Sequence, residues 1–245
     1  MLTYKMLNLD IEKQNIISFV GGGGKTTSIN TLAKEFKYIG KKVLITTTTK
    51  ILCSEHADND YFILGNFSTD FNPKNGSITV LGDSIKAGKI QGLSLNQLEN
   101  IHKRRIFDII LIEADGANNK PIKAPTKHEP VVPNFTTMTV GLIGLDCLGK
   151  PLDEYNVHRS EILAEILDSD YSHRINHEDI VKLVLHKDGL FKGGYGEKII
   201  LLNKANSEDR VLLGKEIKQN LYYVGFNNVY ITNMKNTNIP QDEGG

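Results

Sequence analysis

Tryptophan is absent from this 245-residue chain, and cysteine occurs only at Cys53 and Cys147. Two distant cysteines without C-x-x-C spacing exclude a disulfide framework and a zinc ribbon. No apolar run approaches the roughly 20 residues of a membrane span, and no long apolar segment stands near the N-terminus. A cytoplasmic protein with no membrane partner is therefore expected. Neither sign of charge is in excess, because 29 basic residues cancel 29 acidic ones. Nothing global then favours nucleic acid as a partner. The basic runs Lys103–Arg105 and 120–127 are short, and internal repeats and low-complexity tracts are missing. The length suits one large α/β domain over 1–234, with irregular insertions at 55–105 and 114–134 and a polar tail at 235–245.

What the chain does have is concentrated in Ile16-Ile17-Ser18-Phe19-Val20-Gly21-Gly22-Gly23-Gly24-Lys25-Thr26-Thr27. An apolar, β-branched run feeds four glycines, then Lys-Thr-Thr, then a helical pattern. Glycines let successive backbone N–H groups turn into one concavity that holds phosphate oxygens. The following helix aims its N-terminus at the same anion. Lys25 would reach the β- and γ-phosphates, Thr26 would ligate Mg²⁺, and Thr27 belongs to the same cradle. A strict G-x-x-x-x-G-K-[ST] loop needs glycine where Phe19 stands, so Gly21, Gly22, Gly23 and Gly24 must make the turn. Taken alone, the segment could also be a glycine-rich strand-to-helix turn with an incidental lysine.

Strands are expected at 15–20, 42–46, 107–112, 136–143, 198–202 and 228–232, and helices at 25–38, 93–102, 159–167, 178–186 and 208–221. Asn176 reads as a helix cap. The first strand, helix and second strand form a βαβ unit with parallel strands. Residues 61–64 and 78–81 read as short strands of a small antiparallel extension. The fold class is α/β: a mostly parallel sheet wrapped by helices, P-loop NTPase-like, with its site at the carboxyl ends of the strands.

The strand at 107–112 ends in Glu113-Ala114-Asp115-Gly116. Carboxylates there, beside a phosphate loop, would hold Mg²⁺ and polarise a nucleophile. An ordinary Asp-Gly turn is the competing reading. Farther on, Leu202-Asn203-Lys204-Ala205-Asn206 resembles the Asn-Lys-x-Asp base-reading element of GTPases, with Asn203 supporting the loop and Lys204 covering the base. Asn206 replaces the Asp. An amide offers one acceptor and one donor, so guanine selectivity is in doubt and ATP or GTP both stay open.

Together these segments resemble the YqeC family, described as a selenium-cofactor biosynthesis accessory protein associated with selenium-dependent molybdenum hydroxylases. The likeness runs through the glycine loop, Thr46–Lys50, Glu113–Ala117, Pro121–Pro125, His128–Pro133, His158-Arg159 and Asn203-Lys204. It implies a nucleotide-binding maturation factor whose partners would be a nucleoside triphosphate, with Mg²⁺, and a molybdenum hydroxylase or selenium-handling protein. It also allows a homodimer. It brings forward Thr47 as a metal ligand, although threonines equally suit a strand. It brings forward Lys123, His128 and Glu129, in a proline-stiffened loop, and His158 and Arg159 as substrate contacts. Lys25, Glu113 and Asp115 would carry the chemistry, namely hydrolysis of a phosphoric anhydride. A small-molecule kinase or ligase and a nucleotide sensor without turnover are the alternatives.

Overall fold

Apolar side chains alternate along the first strand, β1 (Asn15–Gly21): Ile17 and Phe19 join the core on one face of a sheet and Ile16 the core on the other. Only a strand covered on both faces carries so continuous an apolar run. In the computed structural model, residues 3–52, 58–170 and 172–236 are described. Cys53, His56 and all but the first two residues of the polar tail lie outside them.

Helix α1 (Thr3–Met6) precedes β1, and α2 (Lys25–Tyr38) follows it. Ile29, Leu32, Ala33 and Phe36, at helical spacing, press α2 onto the Ile17 and Phe19 face. The chain then forms β2 (Lys42–Thr47), β3 (Lys50–Leu52), β4 (Tyr61–Leu64), β5 (Ser77–Gly82), β6 (Ile85–Lys86), β7 (Lys89–Gln91) and α3 (Leu95–Arg104). It continues through β8 (Ile109–Glu113), β9 (Ile122–Lys123), β10 (Met138–Gly144), β11 (Val157–His158), α4 (Ser160–Leu167) and α5 (His177–Leu185). Last come β12 (Glu197–Asn203), α6 (Glu208–Tyr223) and β13 (Val229–Ile231). Asn176 caps α5 as expected, in a reciprocal capping box with Asp179.

Eight strands build the main sheet in the order β13-β12-β10-β1-β8-β2-β5-β4, and every neighbouring pair is parallel. The strands β1 and β2 are parallel as expected, but β8 is inserted between them. The antiparallel extension expected at 61–81 is corrected: β4 and β5 pair in parallel and extend the main sheet. The antiparallel sheet is instead β3-β7-β6. It turns at Ala87 and Gly88, both at positive φ (48° and 70°), the backbone a tight two-residue hairpin needs. After β8 the chain crosses from one side of β1 to the other, so a crevice opens at the carboxyl ends of these central strands. No helix among the described residues is long and apolar enough to cross a membrane.

A buried charge ties α1 to this frame. Glu35, fully buried in α2, accepts the backbone N–H groups of Thr3 (2.8 Å) and Tyr4 (3.0 Å). Glu35→Gln keeps the shape but removes the charge and one acceptor. A loss of about 1–3 kcal/mol is expected for a charged hydrogen-bond acceptor, measured as a lower urea midpoint at unchanged slope.

Candidate functional site

The glycine loop begins where β1 ends, and its path is forced by contact. Gly23 has φ +84°, and a Cβ there would collide with the backbone of Gly144 at the end of β10. Side-chain-free backbone is therefore required for the loop to lie against the sheet. Asn203, at the end of β12, secures the loop from the other side. Its Nδ2 donates to Gly23 O (2.8 Å), and its Oδ1 accepts from Met234 N (3.0 Å). Asn203 thereby joins the end of β12 to the glycine loop and to Met234.

Three glycine amides are engaged within the protein. Gly21 N–H donates to Asp115 Oδ2 (3.1 Å), Gly22 N–H to Leu142 O (3.0 Å) and Gly23 N–H to Lys120 O (2.9 Å). The Gly21, Gly22 and Gly23 amides, expected to face a phosphate, are thus turned to protein acceptors, and α2 starts beyond them. There Ser28 N–H makes the first helical bond, to Gly24 O (3.0 Å). Lys25, Thr26 and Thr27 form the first turn of α2 immediately before it.

The carboxylates sort into two roles. Asp115 is 1% exposed and sits between two ammonium groups, Lys25 Nζ at 3.1 Å and Lys123 Nζ at 3.1 Å. Lys25 also donates to Gly21 O (2.6 Å) and lies 4.0 Å from Glu113. Burial alone would lower the Lys25 pKa, but the adjoining Asp115 and Glu113 charges outweigh it and hold the pKa above the usual lysine value. Glu113 lines the cleft, and its Oε2 accepts from the Thr26 hydroxyl at 3.2 Å. Thr47 does not join them as a cleft residue. It is fully buried, and its hydroxyl donates to Glu113 O (2.8 Å), which fixes the end of β2 to the end of β8.

Lys123 is 1% exposed and donates to Gly116 O (2.6 Å) and Glu129 Oε2 (3.1 Å) as well as facing Asp115. It joins the 114–134 loop to the sheet and lies behind the cleft wall. The short parallel pair β9 and β11 sets His158 beside Lys123. His158 precedes α4 from within β11, and Arg159 links the two with φ +66°. Arg159 Nε is buried with no hydrogen-bond partner among the described residues. Half-burial and the nearby Lys123 and Arg159 cations depress the His158 pKa below its ordinary 6.5. Neutral imidazole is the form at neutral pH. Gly116 has open space where a Cβ would lie, so sterics do not require glycine there.

Gly24, Lys25, Thr26, Thr27, His128, Glu129, His158 and Lys204 share one cleft of about 1070 Å³ with Glu113. Lys204 pairs with Asp146 (2.9 Å). Asn206 faces a separate hollow, where its Oδ1 accepts from Arg210 (2.6 Å). Among the other histidines, His102 stacks on Phe135, His173 pairs with Asp179 and His186 accepts from Asp188 N–H, all local structural contacts. The Cys147 thiol is buried, and burial pushes its pKa up. Sequence reasoning missed Lys89 and Gln91, which line the cleft from β7. The available signal was Ile85-Lys86 and Lys89-Ile90 alternating about Ala-Gly, a hairpin pattern.

The fold and site define a parallel α/β protein with a strand, glycine loop and helix at the sheet's switch point and two carboxylates at and just past the end of the adjacent strand. A family profile described as "YqeC protein" matches residues 17–161. The chain is similar to the "Uncharacterized protein YqeC" of Escherichia coli (strain K12), 33% identical over 190 residues, 76% of this chain and 74% of that protein. This chain belongs to the YqeC family.

Two outcomes follow from the ion pairs and burial. Lys123→Met removes the cation shared by Asp115 and Glu129, and stability should fall by about 3–5 kcal/mol, the cost of breaking a buried pair. A solvent-facing substrate lysine would leave the urea midpoint unchanged. For His158, the unfolded state takes up a proton near pH 6.5 that the folded state resists. Stability should therefore decline as pH falls below about 6.5, with His102, also depressed by burial and Arg105, adding to the slope. His158→Gln should flatten that slope in denaturant midpoints taken between pH 5.5 and 7.5.

Proposed function

We propose that this protein binds a nucleoside triphosphate with Mg²⁺ on the glycine loop and hydrolyses it. The observation that carries the reading is the meeting of Lys25, Thr26 and Glu113 at the start of α2, on the wall of the large cleft. A helix N-terminus and a lysine form a recurrent triphosphate cradle. The Thr26 hydroxyl and Glu113 carboxylate are hard oxygen donors 3.2 Å apart, the type Mg²⁺ takes alongside phosphate oxygens and water. Among the described residues, no cluster of three or more His, Cys, Asp or Glu could hold a metal. A site using one carboxylate, one hydroxyl and the substrate's own phosphates needs no such cluster.

Thr26 and Glu113 would hold the ion, which when bound neutralises charge on the β- and γ-phosphates. Lys25 would leave its contacts with Gly21 O and Asp115 to meet a phosphate, exchanging one set of oxygens for another. Asp115 acts behind the loop. It keeps Gly21 in place through the N–H bond and keeps Lys25 charged. Asn206 lies off the cleft, so ATP and GTP are both accepted. The physiological role proposed is that of an accessory factor in maturation of a selenium- or molybdenum-containing hydroxylase. That part rests on family resemblance. The breadth of the cleft beyond the loop, toward His128 and His158, supports a second reading in which the phosphoryl group passes to a small acceptor.

ATP and GTP titrations with Mg²⁺, followed by phosphate release, test the reading. Lys25→Ala should weaken binding by at least about tenfold, roughly 1.4 kcal/mol. Glu113→Gln should leave binding within a few-fold of wild type while abolishing Mg²⁺-dependent turnover. Unchanged affinity in Lys25→Ala removes the triphosphate assignment, and binding without phosphate release under any condition removes hydrolysis.

A further inference from the structure

The β6-β7 hairpin, with β3 paired to it, forms a wall of the cleft that the nucleotide reading leaves unused. Its register sets Lys50 opposite Gln91 and Leu52 opposite Lys89. Directly paired residues share a face of an antiparallel sheet, and alternate residues along each strand do too. Lys50, Gln91 and Lys89 therefore share one face, and all three line the cleft. Ile51 and Ile90 alternate with them and are buried, 4% and 0% exposed, in the core under α2. The polar face is thus held in place by an apolar one.

The hairpin is also fixed relative to the glycine loop. Gly92 N–H donates to Thr49 O (2.6 Å) and Leu93 N–H to Thr47 O (2.9 Å), while Thr47 holds Glu113 O. A Cβ on Gly92 would collide with the Thr48 and Thr49 backbone, and one on Gly82 with the Ile90 side chain. Such close backbone approach leaves little room for the wall to shift.

Among the described residues, the lysines of this wall have no paired counter-charge. Five lysines line the cleft (Lys25, Lys50, Lys89, Lys120 and Lys204) against two glutamates, Glu113 and Glu129. Lys25 pairs with Asp115, Lys204 with Asp146, and Lys120 donates to Tyr155 O. Lys50 and Lys89 enter no ion pair or side-chain hydrogen bond among the described residues. Lys50 and Lys89 are diagonal neighbours on this face, about 7–8 Å apart along the sheet, so their like charges repel and an anion held by both relieves that repulsion. The cleft's volume, about 1070 Å³, slightly exceeds the roughly 300–1,000 Å³ of small-molecule sites. It has space for a second ligand beside a triphosphate.

We propose that Lys50 and Lys89 form a second anion subsite that takes the carboxylate or phosphate group of a small second ligand, held across the cleft from the glycine loop. Gln91 supplies a neutral hydrogen-bonding group on the same face. The body of that ligand then lies toward His128 and Glu129 of the 114–134 loop and His158 of β11. The proposal deepens the nucleotide reading, on which the glycine loop's occupancy by a triphosphate rests. The hairpin subsite itself is defined without it.

The test uses the full chain and two probes, inorganic phosphate and malonate, titrated by calorimetry with and without a saturating non-hydrolysable ATP analogue and Mg²⁺. Lys50→Gln/Lys89→Gln is the variant. Both side chains are exposed, and an unchanged thermal midpoint verifies its fold. In the loaded wild type, at least one probe should bind, and the double variant should weaken that binding at least tenfold while the ATP analogue's affinity changes less than twofold. Which probe binds tells phosphate from carboxylate. Absence of probe binding to wild type, or equal binding in the variant, overturns the subsite. Parallel loss of ATP-analogue affinity also overturns it, because the lysines would then belong to the nucleotide. If wild type does not bind the analogue at all, the nucleotide reading fails. The wild-type-to-variant difference in probe affinity, measured without analogue, still decides the subsite.

Discussion

A carboxylate sealed from water must be met by cations and N–H donors, and Asp115 meets that requirement with groups from three parts of the chain. Lys25 comes from the first turn of α2, Lys123 from β9, and the Gly21 N–H from the glycine loop. Leaving any of these charges buried without a partner would cost several kcal/mol. The loop, the helix start and the 114–134 segment are therefore held in one arrangement. Glu129 continues the chain of alternating charges through Lys123 to the cleft surface. A change at the cleft's outer loop is thus connected to the lysine beneath the glycine loop by direct contacts.

This arrangement divides labour between two carboxylates that stand two residues apart. Glu113 ends β8 and reaches the cleft, where Thr26 meets it. Asp115, past the end of the strand, turns inward to the lysines. Strand geometry would place residues i and i+2 on one face. Leaving the strand after Glu113 separates them, so one lines the cleft and the other is buried between the lysines.

The cleft also has unequal walls. The glycine loop side is densely paired, with its amides and its lysine engaged by the protein itself. The hairpin side presents Lys50 and Lys89 without counter-charges among the described residues. A ligand on the first side exchanges existing contacts, whereas a ligand on the second makes contacts that nothing replaces. Ligand-induced rearrangement should thus be concentrated at Lys25 and the start of α2.

Local pattern alone determined most elements. The apolar runs of β1, β2, β8, β10 and β12 and the helical spacing of α2 are short-range signals that survive into the structure nearly unchanged. The glycine loop and Asn203 were legible because a strand, glycines and Gly-Lys-Thr constrain the backbone within a few residues. The pairing of β4 with β5 was not legible, since two short strands and a loop fit parallel or antiparallel neighbours equally until the rest of the sheet is present. Nor could sequence tell that Lys123 and Asp115 are buried against each other, or that Thr47 bonds to a backbone carbonyl. Lys, Asp and Thr have the same chemistry on a surface or in an interior, and only long-range packing assigns their partners. Tertiary structure likewise brought Lys89, far from any motif, into the cleft that the start of α2 also lines, because a hairpin's cleft-facing side is set by the apolar residues on its other side and the core that receives them.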